Sequence, residues 1–274
     1  MIRAVPLAAP FGVEVVGLDP DDPEAVTTAA PDLRHLLAEH RLLRWRVPDL
    51  TAEAQIRLLA TFGPVLDESG TGADWTLVSN VADGGRLGDG EYRFHYDLEF
   101  TDSPLEVISL YALELDGPPS RTRFADGVRA AARLDPELRA ALAGRRARHV
   151  YPLTDARGDR RYRLADLDAG APHVERALLW EHPVTGETVL TATAMQTDVV
   201  VGLPEDESED LLARAWDVLY APEEIVVHEW SVGDLLVWDN RSLQHARDAV
   251  RGRRTLRRVT VGELAVTLRA GTGS

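Results

Sequence analysis

The segment Gly233-Asp234-Leu235-Leu236-Val237-Trp238-Asp239-Asn240-Arg241-Ser242-Leu243-Gln244-His245 sets the reading of the chain. Residues 234–238 are largely apolar, carry Val and Trp, and run from Gly233 to a polar Asp-Asn-Arg stretch, which predicts a short strand ending in a turn. His245 follows just beyond it. After a short linker comes Arg253-Arg254-Thr255-Leu256-Arg257-Arg258, at the entry to a further strand over 256–263. Residues two apart in a strand share a face, so Arg254, Leu256 and Arg258 point one way and Thr255, Arg257 and Val259 the other. A guanidinium is expensive to bury unless it meets an anion. The arginine strand therefore reads either as a solvated edge that deters aggregation or as one wall of a site for a carboxylate ligand, which the fork of Arg matches bidentately.

Working outward, further short strands are expected over 105–115, 187–193 and 224–230, each rich in Val, Ile, Leu or Trp and bounded by Gly, Pro or Asp. Nearer the N-terminus, Val13, Val15 and Val16 before Gly17 predict a strand, as do residues 42–47 around Trp45. Pro31 and Asp32 read as the opening of a helix carrying Leu33, Leu36 and Leu37, and Thr51 as the cap of one carrying Ile56, Leu59 and Phe62. Two helical insertions interrupt the later strands, over 128–142 with a kink at Asp135-Pro136, and over 205–220 with Leu211, Leu212, Ala215, Trp216 and Leu219 on one core-facing side. Residues 67–92 and 154–173 are polar connections, the first holding one strand at 76–80, and both are candidate lids. Without regular βαβ alternation, the pattern predicts a mainly β chain with helical insertions, an antiparallel sandwich or barrel forming a single domain over 1–274.

Composition removes several functions. Lys plus Arg number 30 against 45 Asp plus Glu, a net charge of −15, which disfavours nucleic acid and anionic membrane surfaces. There is no cysteine, so disulfides, thiolate zinc sites, iron–sulfur clusters and cysteine nucleophiles are excluded, and a cytoplasmic protein is expected. The start of the chain does not resemble a secretory leader, and no apolar run is long enough to span a bilayer. The expected partner is a small molecule, with a homo-oligomer compatible.

Of eight histidines, two stand in suggestive surroundings. In His95-Tyr96-Asp97 an imidazole and a carboxylate two apart project to the same side of an extended segment and can grip one ion. A third ligand from the distant region around His245 would give two histidines and one carboxylate on one face of iron(II), with positions open for water, a chelating cosubstrate and oxygen. Zinc with the same ligands is the inorganic rival. His173-Val174-Glu175 is a competing pair that ranks below His95 and Asp97 because no second cluster matches it.

Gly12-Val13-Glu14-Val15, the helix-strand-helix around 36–65, His95-Tyr96-Asp97, Thr122-Arg123-Phe124-Ala125-Asp126-Gly127 at a turn opening a helix, Glu181-His182-Pro183-Val184-Thr185-Gly186, Val201-Gly202-Leu203-Pro204, and the segments quoted first occur in that order along the chain. Together they resemble the taurine dioxygenase family of iron(II)- and 2-oxoglutarate-dependent oxygenases over nearly the whole length. The resemblance implies a double-stranded β-helix (jelly roll, cupin-like) with iron held by His95, Asp97 and His245. It also implies that Arg254, aided by the Thr122 hydroxyl, binds the distal carboxylate of 2-oxoglutarate, and that Arg258 meets an anionic group of the substrate. Related halogenases lack the carboxylate ligand, so Asp97 implies hydroxylation or another hydrogen-abstraction outcome over halogenation, with O2 as oxidant and succinate and carbon dioxide as coproducts. The acidic stretch at 88–91 differs from the polar substrate contacts of the taurine enzyme and argues against taurine. The rival functions are a non-catalytic jelly roll that binds a small anion, and a zinc-dependent hydrolase.

Overall fold

A computed structural model describes residues 2–82, 88–153 and 158–263. The first half runs β1 (Arg3–Pro6), β2 (Val13–Val16), α1 (Pro23–His40), β3 (Leu42–Arg46), α2 (Ala52–Leu59), β4 (Thr76–Ser79), β5 (Tyr92–His95), β6 (Val107–Asp116) and β7 (Arg121–Asp126). Then come α3 (Gly127–Arg133), α4 (Pro136–Leu142), β8 (Arg146–Val150), β9 (His173–Ala177), β10 (Leu179–Glu181), β11 (Thr188–Leu190) and β12 (Thr197–Val200). The last part holds α5 (Glu205–Leu219), β13 (Val226–Glu229), β14 (Asp234–Asp239), β15 (Leu243–Arg247) and β16 (Arg253–Val261). Among the described residues no helix is long and apolar enough to cross a membrane.

Two sheets carry the architecture. One is seven-stranded, in the order β1-β2-β3-β14-β6-β16-β4, and the other four-stranded, in the order β13-β7-β15-β5. They face each other across Ile108, Leu110, Phe124, Trp238, Leu243 and Leu256, drawn from both sheets, which gives the jelly-roll core. The outer face of the larger sheet is covered by α1 and α2, whose Val26, Leu33, Leu37, Leu58 and Leu59 pack on Trp45, Tyr111, Leu235, Val237 and Val259. The alternation read from the arginine strand holds in β16: Leu256 faces the interior between the sheets and Val259 faces the helices. The helices α3, α4 and α5 form a separate cluster around Leu138, Leu142, Leu190, Leu211 and Leu212.

Several boundaries differ from the sequence reading. Helix α1 starts at Pro23, where the Asp22 carboxylate caps the amides of Glu24 and Ala25, and Pro31 lies inside it. The buried positions Val26, Ala29, Leu33 and Leu37 continue past Pro31, and both Pro31 and Thr27 are exposed, so the carbonyl freed by the missing amide lies on the solvent side. Packing of that continuous face outweighs the local penalty. The kink at Asp135-Pro136 is a full break, with Asp135 capping α4 through the Leu138 amide. Residues 122–127 are expected as a turn opening a helix; instead 121–126 form strand β7, and α3 begins only at Gly127, capped by Asp126. A Cβ at Gly127 would lie 2.7 Å from Val189 Cγ1 and 2.9 Å from the Leu190 carbonyl, so the strand-to-helix corner has no room for a side chain. The described part of the 154–173 connection is anchored, since Tyr162 is buried and Arg161 and Arg163 bond the two oxygens of Glu209 on α5. Residues 83–87 and 154–157 of the two candidate lids lie outside the described residues.

Candidate metal centre and its cavity

Strands β5 and β15 are antiparallel neighbours, and His95 pairs directly with His245 in their register. Directly opposed residues put their side chains on one face of the sheet. The two imidazole rings accordingly stand 4.2 Å apart between centroids. Asp97 lies just beyond β5, with its Oδ1 3.3 Å from His95 Nε2 and 3.9 Å from His245 Nε2. One donor atom from each of the three lies within 4.8 Å of the others, the one such group of three among the described residues. His95 Nδ1 donates to the Arg93 carbonyl at 2.7 Å, which fixes the tautomer and leaves the Nε2 lone pair directed at the centre.

The turn after β5 is held from two sides. Asn240, fully buried after β14, accepts from the Asp97 amide and donates to the Asp97 carbonyl, each at 3.1 Å. Leu98 then adopts φ +58°, a left-handed conformation unfavourable for a branched side chain, and its carbonyl accepts from both the amide and hydroxyl of Thr101.

The charge states suit a cation. Burial alone would raise the pKa of Asp97, but the Arg258 guanidinium and the two imidazoles outweigh it and hold the carboxyl well below its ordinary range. Burial, followed by the neighbouring His95, pushes His245 down to about 3, against the opposing pull of Asp97, so its imidazole is neutral and its lone pair free at neutral pH. A neutral imidazole at His245 and an ionised carboxylate at Asp97 are the protonation states a divalent ion requires of these two groups.

Arg254 enters the same cavity from β16 and is 3% exposed. Its Nε has no hydrogen-bond partner, and among the described residues no carboxylate lies within ion-pair distance of it. Burial, with a smaller repulsion from Arg247, lowers its pKa to about 9. A buried cation in that condition is a receptor for an anion. Thr122, across the cavity on β7, accepts from the Trp230 indole at 2.9 Å, which leaves its hydroxyl proton to donate elsewhere. The cavity measures about 250 Å³, and Val78, Leu98, Phe100, Leu105, Leu110 and Met195 make up much of its wall.

Arg258 is placed differently from the expectation of a free anion receptor. Its Nη1 lies 2.7 Å from Asp97 Oδ2, while its Nε and Nη2 fork onto Glu68 at 2.8 and 3.1 Å. Burial opposes its charge, but Glu68 and Asp97 more than compensate and raise its pKa. Arg257 points to the opposite face, where it bonds Gln55 and the Leu50 carbonyl and lies over the Tyr111 ring. The competing pair stays apart from the centre: His173 is exposed on β9 and Glu175 faces Arg148. Sequence reasoning missed Glu68, Asn240 and Arg247. For Arg247 a signal existed, because it stands two residues beyond His245 in one strand and so shares its face.

Comparison with known proteins agrees with this geometry. Residues 3–260 match the family described as Taurine catabolism dioxygenase TauD, TfdA family. The alpha-ketoglutarate-dependent 2,4-dichlorophenoxyacetate dioxygenase of Cupriavidus pinatubonensis is 30% identical over 265 residues, covering 88% of this chain and 91% of that protein. The (S)-phenoxypropionate/alpha-ketoglutarate-dioxygenase of Sphingobium herbicidovorans is 29% identical over 261 residues, covering 88% and 87%. Among solved structures, a taurine dioxygenase from Burkholderia xenovorans superposes with a TM-score of 0.77 at 26% identity, over 95% of this chain and 90% of that one. AAD-2 in complex with Mn(II) and N-oxalylglycine shares the fold with a TM-score of 0.81 at 24% identity, over 98% of this chain and 100% of that one.

Proposed function

This chain belongs to the TauD/TfdA family of taurine catabolism dioxygenases, and from that membership we propose that it is an iron(II)- and 2-oxoglutarate-dependent dioxygenase acting on a C–H bond of a small molecule. The observation that carries this reading is the convergence of His95, Asp97 and His245 within 4.8 Å in one cavity with the guanidinium of Arg254, which has no carboxylate partner among the described residues. The whole described chain acts as one catalytic domain.

The donor set fits the metal: the two imidazoles and the carboxylate would hold a ferrous ion and would leave coordination positions for a chelating 2-oxo acid and O2. Iron bound there, with 2-oxoglutarate and O2, supplies the oxidising power, with succinate and carbon dioxide as coproducts. The chain's own residues bind, orient and exclude water. Arg254 and the Thr122 hydroxyl take the distal carboxylate of 2-oxoglutarate, which fixes the direction in which its keto acid end faces the three ligands. Leu98, Phe100 and Leu105 form a hydrocarbon wall that keeps water from the reacting carbon and holds the substrate at a defined distance. With Asp97 as a carboxylate ligand no site would be left for a halide, so the outcome is hydroxylation or another hydrogen-abstraction reaction rather than halogenation.

Anaerobic addition of iron(II) and 2-oxoglutarate tests the reading. A weak visible charge-transfer band is expected in the wild type and is absent in His95→Ala and Asp97→Ala. Under air, succinate should form in proportion to oxygen consumed. Absence of the band and of succinate in the wild type would replace this reading by a binding protein, and activity without O2 or 2-oxoglutarate by a zinc hydrolase.

A further inference from the structure

The oxygenase reading leaves the substrate open, and the ion pairs of Arg258 narrow it. All three nitrogens of that guanidinium are engaged, Nε and Nη2 by Glu68 and Nη1 by Asp97, at distances of 2.7–3.1 Å. Side chains of both Arg258 and Glu68 are nearly buried, at 11% and 12% exposure. We propose that Glu68 is a specificity-determining residue: by holding Arg258 it withdraws the one cation beside the Asp97 carboxylate from incoming anions, so that the cavity accepts a neutral, largely apolar substrate. This proposal rests on the oxygenase reading of the same cavity.

The argument is one of charge and desolvation. An anionic group reaching Arg258 has to displace the Glu68 fork, and a carboxylate stripped of its partner in a nearly dry site is strongly unfavourable. An anion that leaves the fork intact stands beside Glu68 and Asp97, two like charges at short range in a medium that screens poorly. The other cationic end of the cavity is already allotted. Arg254 serves the distal carboxylate of 2-oxoglutarate, and Arg247 beside it lies over the Tyr92 ring at 5.0 Å and donates to the Gly88 carbonyl at 2.6 Å. Among the described residues what remains for a substrate is uncharged and mostly hydrocarbon, Val78, Leu98, Phe100, Leu105, Leu110 and Met195, with Gln196 and the Tyr151 ring beside them. A pocket of this kind rewards apolar area and penalises unpaired charge.

Phenoxyacetamide and phenoxyacetate, which match in shape and differ in charge, provide the test. Binding of each to the anaerobic protein loaded with iron(II) and 2-oxoglutarate is measured by titration calorimetry and by perturbation of the visible band. The wild type should bind the amide about tenfold or more tighter than the acid. Glu68→Gln removes the negative charge, frees Arg258, and should shift the preference toward the acid by a similar factor. If that variant does not fold, the wild-type ratio alone decides, together with Arg258→Gln, which should keep the amide preference. Equal or tighter binding of the acid by the wild type overturns the proposal. So does an unchanged ratio in Glu68→Gln, which would transfer anion recognition to Arg247, and so does failure of both probes to bind either protein. The band formed before any probe is added tests the oxygenase reading separately: its presence with an acid preference sinks only the assignment to Glu68.

Discussion

Asn240 grips the backbone of Asp97 at both ends, its side-chain oxygen accepting from the amide and its nitrogen donating to the carbonyl. The same nitrogen also donates to the Leu105 carbonyl at 2.9 Å, tying the turn to the start of β6. Asn240→Ala would orphan these backbone groups, at a cost of about 1–3 kcal/mol each where water cannot reach them. Because the turn presents the proposed metal ligand Asp97, iron affinity should fall about 10–100-fold, more than the loss of fold stability alone explains. Iron titration of protein shown to be folded by circular dichroism checks this; unchanged affinity would make Asn240 a purely structural residue.

Removing either histidine acts on the centre directly. His95→Ala and His245→Ala should each lower iron affinity by at least about a hundredfold, since even residues that only support ligands carry 10–100-fold effects. Both strands keep their backbone pairing through the register, so thermal melting of the metal-free variants should stay close to that of the wild type. Melting that collapses in the metal-free state would place the histidines in the core's stability instead.

Arg254 should show a conflict between stability and use. Its charge is buried without a counter-charge among the described residues, so Arg254→Met, similar in length and apolar, is expected to raise the melting temperature of the protein free of 2-oxoglutarate, by about 1–4 kcal/mol in stability. The same variant should lose the stabilisation that 2-oxoglutarate gives the wild type, and its KM for 2-oxoglutarate should rise at least about thirtyfold, the equivalent of roughly 2 kcal/mol. Differential scanning fluorimetry with and without the cosubstrate separates the two effects.

His182 supports β14 from behind the site. Its Nε2 lies 2.9 Å from Asp239 Oδ2, both side chains being buried. Burial would raise the Asp239 pKa, yet His182, the Ser242 hydroxyl and Arg241 bring it below the ordinary value. A carboxyl whose pKa is lower folded than unfolded stabilises the fold above about pH 3.9, and loses that contribution as pH falls through the folded value. His182→Ala should therefore cost about 2–4 kcal/mol at pH 7, with the gap from wild type narrowing in acid. Urea denaturation at pH 7 and at about pH 2.5, below the ordinary carboxylate range, measures both; a gap independent of pH would refute the electrostatic part.

What the sequence disclosed and what it concealed divide along physical lines. Arg254 and Arg258 were legible because a two-residue period on extended backbone fixes which side chains share a face. His95 and Asp97 were legible by their spacing, although Asp97 lies in the turn after β5 and reaches His95 through that turn and not through strand alternation. The long amphipathic helix α5 was equally plain. Strand β7 was not, because the alternation of Thr122 and Phe124 with exposed Arg121 and Arg123 is short and stops at Phe124-Ala125-Asp126, all three buried, and Asp126-Gly127 reads as the start of a helix. Pro31 misplaced the start of α1 because a local breaker was weighed without the packed face that overrides it. Glu68 was invisible for another reason. It meets Arg258 across 190 residues of chain, a pairing that no local periodicity encodes.

The two-sided character of β16 has a consequence for quality control during folding. A slip by a single residue would thrust Arg257 between the sheets and drive Arg254 and Arg258 beneath α1 and α2, among Val26, Leu33 and Leu58. Misthreaded molecules would thus forfeit solubility and cosubstrate recognition in the same event. The population that survives proteolysis and chaperone triage is then enriched in competent enzyme, with no separate checkpoint for the active centre.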